Sequence, residues 1–209
     1  MFKQILSELK NHAPFTIFGG ITGIVIMFII ILFNILPQVS NVSLPIFYIL
    51  HPMHVVLSSI ATVALYKLYK PKAKISKAII IGYIGSIGIA TLSDSIIPYI
   101  GEFLLDLPNR GIHLGFIEKP FLINSAAFLG IAIGFLKPKT KFPHSGHVLI
   151  STWASLFHII MAIGQTISFT LIIGIFLFLF LAVWIPCCTS DIIFPLLFVS
   201  TKNKKKEIS

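Results

Sequence analysis

Seven histidines, two adjacent cysteines and a few acids are threaded through long apolar runs in this 209-residue chain. The densest set lies in residues 137–165, KPKTKFPHSGHVLISTWASLFHIIMAIGQ. There His144, His147, Ser151, Ser155, His158 and Gln165 follow one another at steps of three or four residues, with one longer gap at the end. Helical spacing puts them on one face, with His144 and His158 about 21 Å apart along the axis. Imidazoles and hydroxyls that deep in an apolar segment are costly unless they meet a partner or water. A second pair, His51 and His54, sets two imidazoles at i and i+3, and Asp94 is an ionisable group inside another apolar run. Imidazole and carboxylate are donors for zinc, manganese, iron, nickel and cobalt, and thiolate shifts the preference toward softer, zinc-like ions.

The elements that must position these groups are membrane spans. The chain is 56% hydrophobic and only 11% charged, against about 25% charged in a soluble domain. Its apolar runs approach or exceed the roughly 20 residues that cross a bilayer core. A net charge of +9 would suit nucleic acid, but the lysines cluster between apolar runs, which is a topology signal. The expected partner is therefore the lipid bilayer and not nucleic acid. Cys187 and Cys188 are neighbours and cannot form a disulfide framework; they read as packing residues or soft metal ligands. The first apolar run, 15–36, is longer than the apolar region of a signal peptide and has no small-residue cleavage site behind it, so it reads as a retained span.

The expected fold is all-α, an integral membrane protein with a six-transmembrane-helix bundle over residues 1–201 and a basic tail at 202–209. The spans fall at about 15–36, 46–69, 78–100, 120–136, 144–164 and 166–184, and Pro186 and Pro195 predict a broken or kinked C-terminal helix. Residues 37–45 read as a chargeless turn and 101–119 as the longest connection. Glycine faces on the first and third spans suit close helix packing, within the protomer or in a homo-oligomer. With six spans, both termini and the lysine-rich loops at 67–77 and 137–141 share one side. The positive-inside rule makes that side cytoplasmic, in the cell membrane.

This topology sorts the polar residues into two candidate metal clusters. The outer one holds His51, His54, Asp94, His158, His113, Glu102 and Glu118. The inner one holds His144, His147, Cys187, Cys188 and Asp191, with Ser58, Ser86, Ser151 and Ser155 lining a pathway between them. Ligands in series suit a transporter or channel for a divalent transition-metal ion. A membrane-embedded metal-dependent hydrolase or transferase acting on a lipid or membrane peptide is the alternative, with Glu102 or Glu118 as general base. A non-catalytic subunit is the third reading, in which His54 and His158 could ligate a haem. The run from Pro143 to His147 resembles the P-S-G-H motif of the phosphatidic-acid phosphatase superfamily, with one residue inserted. That family holds phosphate with arginines, and the one arginine here, Arg110, is expected on the opposite face. No membership follows from the resemblance.

Overall fold

The computed structural model describes residues 2–138, 141–164, 167–188 and 193–199, and among these the side chains from residue 13 onward except 141–145 and 188. All the regular secondary structure of the described residues is helical, with no strand. The helices are α1 (Phe2–Leu32), α2 (Leu36–Tyr69), α3 (Ile75–Leu104), α4 (Gly115–Glu118), α5 (Pro120–Leu136), α6 (Lys141–Ala162), α7 (Phe169–Cys188) and α8 (Phe194–Leu197). Among the described residues, four stretches are long and apolar enough to cross a bilayer: Ala13–Leu32, α2, α3 and Phe169–Cys187. The apolar helices Pro120–Leu136 and Gly146–Ala162 also fall where spans were expected, but are shorter.

Two boundaries differ from the sequence reading, and both have a capping reason. Residues 37–45 are not a turn; they belong to α2. The turn is tighter and earlier. Asn34 adopts φ 52°, its N–H bonds the Ile31 carbonyl, and the Ile35 N–H bonds the Ile30 carbonyl. That is a Schellman ending, in which asparagine tolerates the left-handed conformation. Pro37 then sits in the first turn of α2, where a missing N–H costs nothing. The same device ends α3. Asp106 has φ 53°, its N–H bonds the Phe103 carbonyl, and the Leu107 N–H bonds the Glu102 carbonyl. Glu102 is therefore a helical residue in the last turn of α3 and not part of a connection.

Within α3, residues Ile84–Gly88 and Leu92–Ile96 are wound as π-helix. Pro98 follows the second of these and offers no N–H to the Asp94 carbonyl. The wide turn beside it carries Ser93, Asp94 and Ser95, all buried. Such single π turns recur where a side chain must be re-aimed.

Helix α2 is the axis of the packing, with α5 on one side and α6 on another. The α5 seam is backbone against backbone. A Cβ on Gly134 would sit 2.7 Å from the Ile60 carbonyl oxygen, and one on Gly130 would run into the Val56 carbonyl. Small residues four apart allow this approach. Met27 of α1, Leu156 and Ile160 of α6, and Ile175 and Leu179 of α7 form an apolar core on the far side of α6. The polarity is inverted relative to a water-soluble fold. Phe18, Phe28, Leu32, Phe121, Leu136 and Phe169 are exposed, while His51, His54, Asp94, Glu102, His147 and His158 are buried.

The α2–α5 seam yields a test. Gly134→Ala should lower stability by about 1–3 kcal/mol through overpacking, read as a shifted unfolding midpoint in detergent micelles. Gly88→Ala, where a Cβ would meet nothing within 4 Å, should leave the midpoint unchanged.

Candidate metal centre

The buried polar groups of α2, α3 and α6 converge on Asp94. Its Oδ2 accepts from His51 Nδ1 at 2.9 Å and from His54 Nδ1 at 2.8 Å. Its Oδ1 accepts from the hydroxyls of Ser93 and Ser151, each at 2.7 Å. Those four bonds fill the acceptor capacity of a carboxylate. The Ser155 hydroxyl donates to the Ser93 carbonyl at 3.0 Å, which ties α6 to the π turn a second time.

A carboxylate only accepts, so the hydrogen of each imidazole sits on Nδ1 and the lone pair on Nε2. For His54 that lone pair faces α6 and α7. Cys187 Sγ lies 3.9 Å from His54 Nε2. The His147 ring stacks on His54 with centroids 5.6 Å apart and planes 7° from parallel. One donor atom from each of His54, His147 and Cys187 lies within 4.8 Å of the others, and all three residues are buried. Bonds of about 2.0–2.3 Å in a tetrahedral shell place donor atoms some 3.3–3.8 Å apart. A contraction of about an ångström would close the set on an ion. The donors are of the kind that bind transition metals, and the carboxylate behind His54 fixes the tautomer a metal ligand needs. These three residues could hold a metal ion.

The remaining sequence-predicted residues fall elsewhere. The outer set does not gather on one point. His51 and His54 share Asp94, but His158 Nδ1 bonds Glu102 Oε1 at 2.7 Å. His113 Nδ1 approaches Glu118 at 3.4 Å. Asp94 stands behind His54 as the group that orients it. The inner set is divided as well: His147 and Cys187 join His54, which the sequence placed in the opposite cluster. Asp191 and Gln165 lie outside the described residues, as do the side chains of His144 and Cys188. Ser58, Ser86, Ser151 and Ser155 are all buried in the interior. His54 and His158 do not face each other, because His158 Nε2 accepts the His113 N–H at 3.4 Å while His54 Nε2 faces Cys187.

Two partners escaped the sequence reading. Ser93 was legible, since a hydroxyl beside an intramembrane acid is its nearest donor. Tyr48 was not; its hydroxyl bonds Glu118 across 70 residues of sequence. Glu118 lies at the surface. Burial raises the pKa of its carboxyl, but the Tyr48 hydrogen bond, the His113 charge and the Leu114 N–H outweigh that and hold it below the usual carboxylate range.

No protein-family model matches this chain, and neither the curated proteins nor the solved structures give a match.

The geometry of the site separates ligands from the orienting carboxylate. Asp94→Asn should weaken zinc binding at this centre about 10–100-fold, whereas Cys187→Ala or His54→Ala should remove binding there. Competition against a zinc-chelating dye measures both, and unchanged affinity in Asp94→Asn would refute the orienting role.

Proposed function

We propose that this chain is an integral membrane protein that binds a divalent transition-metal ion, zinc in type, inside its helix bundle and carries it across the bilayer. The buried His54–His147–Cys187 donor set, with His54 aimed by Asp94, carries the reading. Ionisable groups within spans mark ion sites and pathways by default. The polar face of α6 supports passage rather than storage. It runs from His147 through Ser151 and Ser155 to His158, all buried, over about 16 Å of helix axis. Weakly binding stations in series let an ion arrive and leave. In this reading all six long helices cross the membrane, and both termini lie with the lysine-rich loops on the cytoplasmic side.

A metal-dependent hydrolase is the second reading, because three protein ligands leave a coordination position for water. It needs a carboxylate base beside that water. Asp94 is already saturated with four donors. Glu102 is engaged by His158 and the Gly111 N–H, and Glu118 by Tyr48 and the Leu114 N–H. With these carboxylates committed, transport is the better-supported function.

Elemental analysis of the purified protein and zinc flux into dye-loaded proteoliposomes test the proposal. The wild type should bind zinc at the central donor set and sustain flux, and Cys187→Ala should lose the flux and the zinc held at that set. Zinc-dependent cleavage across a panel of lipids and membrane peptides, without flux, would transfer the site to the hydrolase reading. Protein free of metal after zinc loading would end both.

A further inference from the structure

Two imidazoles outside the His54–His147–Cys187 set repeat its orientation. His51 donates from Nδ1 to Asp94, and His158 from Nδ1 to Glu102, so each presents a lone pair at Nε2. His51 Nε2 is fully buried and has no hydrogen-bond partner among the described residues. His158 Nε2 accepts the His113 N–H at 3.4 Å, which is long for such a bond. Both rings lie against Phe47: His51 stacks on it at 5.1 Å, and His158 meets it edge-on at 5.5 Å. The His113 ring in turn meets His158 at 5.4 Å.

One segment covers both nitrogens. Residues 107–115 run from the end of α3 into α4. The His113 backbone sits on His158 Nε2, and Gly115 abuts His51 so closely that a Cβ there would lie 2.8 Å from Nε2. Glycine is needed for that approach. The segment is seated by three further bonds: the Asn109 N–H to the Ala162 carbonyl, the Gly111 N–H to Glu102 and the Leu114 N–H to Glu118.

We propose that His51 and His158 form a second cation station for the same class of transition-metal ion, and that residues 107–115 are a displaceable cap over it. A lone pair cannot accept the His113 N–H and bind a cation at once. A cation at His158 Nε2 therefore frees that amide, and His51 Nε2 gains the partner it lacks. The station rests on the reading that this bundle binds such metals, and it places a second stop between the central donor set and the surface residues His113 and Glu118.

Hydrogen–deuterium exchange of the full chain in detergent, with and without zinc chloride, tests this. Zinc should speed exchange of the peptide covering 109–115 about fivefold, the equivalent of one lost hydrogen bond. It should do so in the wild type and in Cys187→Ala, where the central set is disabled. His158→Ala should exchange quickly without zinc and respond no further. His51→Ala, which keeps the cap bond to His158, should need more zinc for the same response. Wild-type protein that binds zinc while this peptide stays unchanged or slows would overturn the station and leave the central site standing. A response lost in Cys187→Ala would overturn it too, and wild type that binds no zinc would end both ideas.

Discussion

A carboxylate buried among helices must be surrounded by donors, and Asp94 is. Removing such a group from water costs several kcal/mol after relaxation. Each hydrogen bond to a charged acceptor returns about 1.5–3 kcal/mol. Four of them, from His51, His54, Ser93 and Ser151, are of the size needed to offset that cost. The donors come from three helices, so the bonds fix how α2, α3 and α6 are rotated against one another. The Nε2 lone pairs of His51 and His54 point where they do because Asp94 holds each imidazole by the other nitrogen.

The rest of the bundle keeps this node in place. Helix α2 has a close-packed face and a polar one. On the close-packed face, Gly130 and Gly134 bring the α5 backbone onto the α2 carbonyls at Val56 and Ile60, a seam with no room to slide. On the polar face the same stretch of helix presents His54, Ser58 and Thr62, all buried. Close packing on one side thus supplies the rigidity that a precise donor set needs on the other. The π turn at Leu92–Ile96 completes the arrangement by carrying Asp94 beside both histidines.

Much of this was legible in the sequence, for one reason. Groups such as His51, His54 and Asp94 have no partner in hydrocarbon, so their meeting follows from their presence in apolar runs. The polar face of α6 was legible from its spacing. The ends of helices were not. Pro37 and Pro45 read as turn formers, yet the first lies at a helix start and the second is tolerated inside α2. Asp106, an aspartate in left-handed conformation, ends α3, and Glu102 is therefore buried beside His158 rather than solvated. Depth was readable and rotation was not: hydropathy places His54 and Cys187 along their spans only to within a few residues. That α7 brings Cys187 to within 3.9 Å of His54 Nε2 had no signature in either segment alone.

The i, i+3 spacing of His51 and His54 explains why one of them and not the other enters the central donor set. Three residues of helix turn the side chains about 60° apart and offset them by about 4.5 Å along the axis. Both still reach the same oxygen of Asp94. Their rings therefore fan outward from that atom, and the two Nε2 lone pairs diverge. His54 turns toward α6 and α7, where His147 and Cys187 wait; His51 turns toward Gly115 at the start of α4. A histidine pair at i, i+4 would hold its rings closer to parallel, on one side of the carboxylate. The shorter spacing makes a single buried acid orient two imidazoles in different directions, which suits the proposed path with more than one stop.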